Sequence, residues 1–165
     1  MILRREQPED SAVIYALTQV AFAHHTFGTH NEHRIVDALR AANALTLSLV
    51  AEDENTIVGH VAFSPVVISD GTTGWLGLGP ISVVPEHQKQ GIGTALIRES
   101  LTRLQAQNAG GVVLLGDSAY YGRFGFAVRP GLMLEGVPAE HFLALSFTEN
   151  YPQGMVAFHP AFDTP

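Results

Sequence analysis

The stretch PEHQKQGIGTAL, from Pro85 to Leu96, follows an apolar, strand-like run and precedes an amphipathic segment. A strand that enters a helix through a glycine-rich turn leaves unpaired backbone N–H groups at the positive end of the helix, where phosphate oxygens bind. Gly91 and Gly93 lack the Cβ atoms that would keep a pyrophosphate at a distance, and Lys89 adds a positive charge. The same glycines could instead only shape a tight turn. The turn is not a dinucleotide fingerprint, because a third glycine at the required spacing and an acidic residue after a following strand are missing, nor a Walker loop, because the Gly-Lys-Ser/Thr ending is missing.

The composition of the chain restricts its partners and its compartment. Its 165 residues are 46% hydrophobic, which predicts a single domain over residues 1–165. A formal net charge of −7 argues against nucleic acid or an anionic membrane as the main partner, because both attract clustered Lys and Arg. The absence of cysteine excludes disulfides and a cysteine nucleophile. With neither a signal peptide nor a long apolar run, we expect a cytoplasmic protein.

Helical spacing predicts two helices before the sheet and a third after the glycine-rich turn. The first runs through PEDSAVIYALTQVAF, the second begins after Asn31, and the third covers about Ile92 to Gln107. A histidine-rich loop, AHHTFGTH, joins the first two. The predicted apolar faces hold Val13, Leu17 and Val20 in the first helix, Ile35, Val36 and Leu39 in the second, and Leu96, Ile97, Leu101 and Leu104 in the third.

Strand patterns account for most of the remaining chain. MILRR predicts a short first strand, and TLSLVAED and TIVGHVAFSPVVI predict an antiparallel hairpin across the turn DEN. WLGLGPISVVP predicts a strand that is distorted near Gly79 and Pro80, because proline removes a hydrogen-bond donor. VVLLG, HFLALSF and GMVAFHP are further strands. The order of elements predicts a mixed sheet with helices on its faces.

Several segments have a recognisable order and spacing: VGHVAFSPV, GLGPISVVPEHQKQGIG, LLGDSAYYGRFGF and HPAF. Gln88, Gly91 and Gly93 also match the pattern Gln/Arg-x-x-Gly-x-Gly/Ala. In these features the chain resembles the GCN5-related N-acetyltransferase (GNAT) family, and within it the YhbS-like bacterial group. The resemblance implies an α/β (α+β) fold with a mixed, mainly antiparallel central sheet of about six to seven strands and about four helices. It also implies that the sheet splays open at the acetyl-CoA site.

The resemblance implies acetyl-CoA as the co-substrate, without a metal. The backbone of Ile81 to Val83 would pair with the pantetheine arm like an added strand, and the segment from Gln88 to Thr94 would hold the pyrophosphate. Core packing by the side chains of Ile81 and Val83 is compatible with this role. Pro80 offers a physical reason for the splay, because it cannot donate a hydrogen bond to a neighbour. The implied cofactor-binding residues are Ile81, Ser82, Val83, Gln88, Lys89, Gln90, Gly91, Ile92, Gly93, Thr94 and Asp117.

The family's pattern also implies catalytic roles. A tyrosine four residues before Gly-Phe acts as the general acid in the family, and that position in YYGRFGF is Tyr121. A packed aromatic with a bonded hydroxyl is the alternative, and it fits Tyr120 better. The backbone N–H of Val83 is the implied oxyanion donor. Asp117 stands where many relatives have Asn, so it could contact the CoA arm or simply cap the following turn.

The general base is not apparent from the sequence. Many relatives use a Glu from the strand that corresponds to WLGLGP, but no carboxylate lies between residues 71 and 84. Glu32 is the first candidate, because the loop between the first two helices borders the acceptor side in the family. The other candidates are His24, His25, His30 and His33. Their spacing also suggests a metal site, but a chance enrichment in histidine explains it better. His159 matches a feature of the group, with packing as the alternative role.

Two functions from different classes are compatible with these features. The first is acetyl transfer from acetyl-CoA to an amine of a small molecule, peptide or protein, directly within a ternary complex. The missing strand carboxylate motivates the second, a CoA-binding sensor or partner-binding module with weak or no catalysis. The acidic charge mildly favours a cationic acceptor. Dimers are frequent in the family, so a homodimer is a further expectation.

Overall fold

The predicted mixed fold is confirmed by the computed structural model, which describes residues 1–25 and 30–165. The strands are β1 (Ile2–Arg5), β2 (Leu47–Asp53), β3 (Thr56–Pro65), β4 (Val67–Ile68), β5 (Trp75–Val83), β6 (Gly111–Leu115), β7 (Leu132–Met133), β8 (Phe142–Ser146) and β9 (Gly154–Ala157). The main sheet has the strand order β1, β2, β3, β5, β6, β8, and a small sheet has the order β4, β9, β7. The helices are α1 (Ser11–Phe22), α2 (Glu32–Ala41), α3 (Ile92–Ala106) and the single turn α4 (Ser118–Tyr121).

The first half of the main sheet is an antiparallel meander. β1 pairs with β2, β2 with β3, and β3 with β5, all antiparallel. The predicted hairpin between β2 and β3 is confirmed, and Glu54 and Asn55 in its turn both have positive φ angles, 49° and 66°. Two successive residues with positive φ are typical of the tight turn that matches the twist of a hairpin.

The predicted distortion of β5 is a β-bulge. Val61 of β3 faces Ile81, and Phe63 faces Leu78. Ala62 alone therefore lies opposite both Gly79 and Pro80. Because Pro80 has no N–H to donate, the ladder accommodates it by inserting one extra residue on its strand.

The main sheet splays open between β5 and β6, as expected. These two strands are parallel, and they pair only between residues 75–77 of β5 and 111–113 of β6. Beyond Gly77, β5 continues along β3, while β6 continues along β8 as far as Leu115. A gap therefore opens between the second half of β5 and the end of β6.

The helices divide between the two faces of the sheet. Leu96 and Ile97 of α3 pack on one face against a core that includes Phe63 of β3. On the other face, Ile14 of α1 and Val36 of α2 pack against Val50 of β2. The glycine-rich turn at the start of α3 and the α1–α2 pair therefore lie on opposite faces.

The predicted inward face of α1 was wrong. Val13 and Val20 are about half exposed, and of the predicted set only Leu17 is buried. The buried positions are Ile14, Leu17, Thr18 and Ala21. The spacing of apolar residues gave the wrong face for two reasons. α1 is apolar on nearly all sides, so its periodicity is weak, and the buried Thr18 is not an apolar residue. The predicted inward residues of α2 and α3 are confirmed, with Leu101 only partly buried.

A small sheet covers the part of the main sheet that α1 and α2 leave open. The run predicted as one strand through TIVGHVAFSPVVI ends at Pro65, and Val67–Ile68 instead pairs with β9. Val156 of this small sheet packs against Trp75 of β5 and Val113 of β6. The face opposite α3 is therefore built from two parts, the α1–α2 pair and the small sheet.

Within the part of the chain that the structure describes, no helix is both long enough and apolar enough to cross a membrane.

Candidate active site

The N-terminus of α3 has the unpaired donors that the glycine-rich turn predicts. Gly91 is the N-cap residue, and its φ of 85° lies in the left-handed region that glycine adopts without strain. Its carbonyl accepts the first helical hydrogen bond, from the N–H of Ala95. The N–H groups of Ile92, Gly93 and Thr94 precede that bond, so the helix itself leaves them without a partner.

These donors face a cleft of about 590 Å³ on the α3 side of the sheet. A Cβ atom at Gly93 would approach nothing closer than 3.9 Å, so the fold itself does not require a glycine there. The missing side chain instead leaves room for a ligand against the helix end. The cleft is lined by Val83, His87, Gln88, Lys89, Gly91, Ile92, Gly93, Thr94, Tyr120 and Arg123.

Gln88 connects the turn to the end of β5. Its side-chain Nε2 donates to the carbonyl of Val83 at 3.0 Å, while the Gln90 amide reaches the Glu86 carbonyl at 3.4 Å. The first residue of the motif thus orients the last residue of the strand.

The register of β5 determines which of its backbone groups face the gap. The N–H of Val84 donates to the carbonyl of Val58, so in this antiparallel ladder Ser82 is hydrogen-bonded toward β3 and the flanking residues are not. Ile81 and Val83 therefore direct their N–H groups toward the gap, where β6 has already diverged. Two of the three predicted pantetheine contacts, Ile81 and Val83, have this orientation, and Val83 is also the predicted oxyanion donor. The third, Ser82, directs its backbone groups to β3, so its N–H does not face the gap.

Tyr121 lies beside the end of β6. Its ring packs on Gly116, where a Cβ atom would come within 2.4 Å of the ring, and it contacts Phe126. Burial and the neighbouring Tyr120 raise the pKa of Tyr121 to about 12. The hydroxyl of Tyr120, by contrast, is bonded to Thr94 Oγ1 at 2.9 Å. As predicted, Tyr120 is the tyrosine whose hydroxyl is anchored.

Asp117 caps the turn that follows β6. Its Oδ1 accepts from the N–H of Ala119 at 2.9 Å, which confirms the capping alternative. Its proposed contact with the CoA arm stays a prediction.

Arg123 is a cleft residue that the sequence reasoning missed. Its guanidinium lies 4.3 Å from the centre of the Tyr120 ring, and its Nε donates to the Tyr120 carbonyl at 2.8 Å. These contacts hold a positive charge at the same cleft as Lys89. The available signal was an arginine in an otherwise apolar and glycine-rich segment, YYGRFGF.

Comparison with known families identifies the architecture. A family model described as an acetyltransferase (GNAT) domain matches residues 3–129. The chain belongs to the GNAT family of acetyltransferases. The resemblance inferred from the motifs is thereby confirmed.

Individual relatives agree with this family. The chain is 39% identical over 127 residues to the N-acetyltransferase YhbS of Escherichia coli (strain K12), covering 76% of this chain and 73% of YhbS. A crystal structure of a GNAT family acetyltransferase from Brucella melitensis in complex with acetyl-CoA is 49% identical, with a TM-score of 0.88 over 98% of this chain and 97% of that one. The structure of YhbS from Escherichia coli in complex with CoA is 32% identical, with a TM-score of 0.89 over 98% and 91%.

The candidates for the general base do not cluster. Glu32 begins α2, and its Oε1 is buried with no hydrogen-bond partner among the residues that the structure describes. His33 is buried against the Tyr15 ring at 4.7 Å, while His24, His25 and His30 are exposed. Residues 26–29 of the histidine-rich loop lie outside the described residues. Elsewhere in residues 1–25 and 30–165, no three His, Asp or Glu side chains are grouped as metal ligands.

His159 has a local structural partner. Its Nδ1 accepts from the N–H of Ala161 at 3.0 Å, at the start of the turn Pro160–Asp163. When the ring is neutral, its proton must therefore be on Nε2, which can donate but not accept. In this arrangement His159 is not a base.

A second cleft, of about 690 Å³, lies on the face opposite α3. Phe158 in its wall packs so close to Gly77 that a Cβ atom there would come within 2.4 Å of the ring. Leu115 at the end of β6 also lines it, on the same side of its strand as Val113. The second cleft therefore borders the gap from the side opposite the α3 donors. Glu135, His159 and Asp163 are among its polar lining residues.

A buried polar network on the face of α1 and α2 was also missed. His60 of β3 is fully buried, and its Nε2 lies 2.7 Å from Ser48 Oγ. Ser48 donates to Glu6, which is paired with Arg40 at 2.8 Å. A histidine within the apolar run TIVGHVAF was the available signal, because a buried polar group needs partners.

The charge of Glu6 and the direction of the Ser48 hydrogen bond determine the tautomer of His60. Burial acts to raise the pKa of Glu6, but hydrogen bonds from Arg40 and Ser48 outweigh it and lower the pKa below its usual value. Glu6 is thus ionised, and the Ser48 hydroxyl points toward it. Ser48 Oγ must then accept from Nε2–H of His60, whose Nδ1 keeps its lone pair. Burial and the Arg40 charge outweigh Glu6 and lower the pKa of His60 to about 4.

We expect the buried His60 to make folding stability depend on pH. Between about pH 4 and 6.5, the unfolded chain binds a proton at this residue that the folded protein does not, so stability falls as the pH drops. The expected slope from this group is about 1.4 kcal/mol per pH unit. Urea unfolding from pH 7 down to pH 5 should show a slope that His60→Gln removes. The control His24→Gln, at an exposed position, should retain it, and an equal slope in both variants would contradict the assignment.

We expect Arg123 to contribute to the binding of phosphate groups in the cleft. Arg123→Ala should weaken CoA binding roughly fivefold, equal to about 1 kcal/mol for an exposed charged contact. Arg98→Ala is the matched control, because Arg98 also stacks on an aromatic ring, that of Phe124, but does not line this cleft. Calorimetric titration with CoA measures both affinities. A similar affinity loss in the two variants would indicate a nonspecific effect of charge.

Proposed function

We propose that the protein transfers the acetyl group of acetyl-CoA to a primary amine within a ternary complex. The observation that carries this proposal is the gap between β5 and β6, which opens beside the unpaired donors at the N-terminus of α3. The relative from Brucella melitensis, whose crystal structure contains acetyl-CoA, supports the same co-substrate here.

The cleft and the gap would bind different parts of the co-substrate. The pyrophosphate would bind the N–H groups of residues 92–94, with Lys89 and Arg123 as the nearby cations. The pantetheine arm would then run along β5, whose free N–H groups at Ile81 and Val83 act as the edge of a ladder. The gap is the route by which the thioester reaches the opposite face.

The chemistry needs an oxyanion donor and a proton for the leaving thiolate. The N–H of Val83 is the proposed donor, since it faces the gap. Tyr121 is the proposed acid, because it lies at the end of β6 and its raised pKa keeps the hydroxyl protonated throughout the physiological range. With no cysteine in the chain to carry an acyl group, we favour direct attack by the amine.

The acceptor would approach from the second cleft, on the face opposite α3. Apolar side chains such as Leu115, Phe158 and Phe162 line it, and the carboxylates of Glu135 and Asp163 are at its surface. This lining suits an amine that is cationic in solution and carries an apolar body.

A CoA-binding module without turnover is the second candidate. The observation that favours it is that β5 carries no carboxylate at the position where many relatives have a base. Incubating the protein with acetyl-CoA and a panel of primary amines separates the two functions. Thiol release that depends on an amine, with an acetylated product detected by mass spectrometry, supports the enzyme. Tight CoA binding without amine-dependent thiol release supports the module.

We expect Tyr121→Phe to lower kcat without changing CoA affinity, because it removes the proposed proton donor and keeps the packed ring. A loss of roughly 100-fold is typical of a missing general acid. Tyr120→Phe is the contrasting variant: it loses the bond to Thr94 at the cleft, so it should weaken CoA binding instead. Turnover by Tyr121→Phe at the wild-type rate would refute the acid role.

A further inference from the structure

Two buried polar atoms without partners lie on neighbouring strands, on the face opposite α3. His60 Nδ1 and Ser82 Oγ have no hydrogen-bond partner among the described residues, and both side chains are almost completely buried. His60 and Ser82 are directly opposite each other in the β3–β5 ladder, so their side chains lie side by side. Leaving such atoms unpaired is costly, so this site favours a polar ligand or a water between them.

Of the two residues, Ser82 is the one next to the proposed reaction centre. Ser82 lies between Ile81 and Val83, whose N–H groups face the gap. Its side chain points to the face from which the acceptor approaches, because α3 packs on the opposite one. The lone pair of His60 Nδ1 is one strand further from the gap.

The outer end of the network reaches solvent. His60 Nε2 bonds to Ser48, and Ser48 bonds to Glu6. Glu6 and Ser48 line a surface cleft of about 220 Å³ together with Arg40. Exchangeable groups therefore extend from Ser82 beside the gap to the surface at Glu6, with one break, between Ser82 Oγ and His60 Nδ1, that a bound water would bridge.

We propose that His60 accepts a proton of the acceptor amine through Ser82, and that Ser48 and Glu6 hold the ring in the tautomer with a free Nδ1 and stabilise its imidazolium. This inference rests on the proposed acetyl transfer. It supplies the base that the sequence lacks between residues 71 and 84. His60 and Ser48 act at a distance from the reacting atoms, so they are positioning and relay residues.

The proton balance closes with the groups present. An alkylammonium acceptor first passes one proton through the Ser82 hydroxyl, or a water bound to it, to His60 Nδ1; the free amine nitrogen then forms a bond to the thioester carbon and the carbon–sulfur bond breaks. Nε2–H stays bonded to Ser48, and the carboxylate of Glu6, 3.8 Å from Nε2, stabilises the imidazolium. Tyr121 protonates the thiolate. The tyrosinate takes up the second amine proton, and after product release the Nδ1 proton of His60 leaves through the same hydroxyl or water by which it arrived, so both groups are restored with Nε2–H still bonded to Ser48.

The test compares two acceptors that differ in their need for a base. Phenethylamine is protonated at neutral pH, as alkylamines are, whereas hydroxylamine is largely unprotonated. At neutral pH, His60→Gln should lower kcat/KM for phenethylamine roughly 100-fold, and the loss should shrink as the pH approaches the pKa of the amine. The loss for hydroxylamine should be much smaller, and CoA affinity should not change. A purely structural role would lower both reactions equally at every pH.

Two serines provide a matched control for the path. Ser82→Ala should reproduce the acceptor-dependent loss of His60→Gln. Ser100→Ala should not, although Ser100 is also fully buried and its Oγ also has no partner among the described residues, because it lies on α3, on the opposite face of the sheet from His60. Glu32→Gln tests the competing base: an acceptor-dependent loss in this variant, with none in His60→Gln, would overturn the proposal.

Nitrogen NMR of histidine-labelled protein tests the inference without any acceptor. His60 should carry its proton on Nε2 and a bare lone pair on Nδ1. A proton on Nδ1 would overturn the path even if the protein is an active acetyltransferase. Absence of turnover with both amines, combined with the expected tautomer, would instead contradict the proposed function.

Discussion

The alternating direction of the backbone groups of β5 is the constraint on which the site depends. Ser82 is bonded toward β3, so Ile81 and Val83 must direct their N–H groups the other way. In a continuous sheet β6 would pair with them, but the pairing of the two strands ends at Gly77. Backbone donors without partners are rare inside proteins, so this edge is suited to a ligand that behaves as a strand.

The two faces of the sheet carry different groups on either side of that edge. The α3 face holds the glycine-rich turn and the cations at the cleft, which favour an anionic ligand. The opposite face holds the apolar second cleft and the buried network around His60. The gap is the connection between them, so a thioester that enters from α3 meets its acceptor on the other side.

The sequence predicted those parts of the fold in which local patterns agree with the final packing. The glycine-rich turn, the bulge at Pro80 and the apolar stripes of α2 and α3 follow from spacing and backbone chemistry alone. The splay and Tyr121 needed the family resemblance. The buried face of α1 was mispredicted because Thr18 is buried while Val13 and Val20 are about half exposed, the reverse of what hydrophobicity predicts. His60 was missed because its role depends on Ser48 and Glu6, which are distant from it in sequence. Arg123 was missed because its place at the cleft depends on how the turn around Tyr120 folds against α3.

Amide hydrogen exchange along β5 tests the central claim most directly. In the free protein, Ile81 and Val83 should exchange faster than Ser82, whose N–H is already bonded to β3. Binding of CoA should slow exchange at Ile81 and Val83 and leave Ser82 unchanged. Equal protection of the three amides in the free protein, or no change at Ile81 and Val83 with CoA bound, would contradict the account.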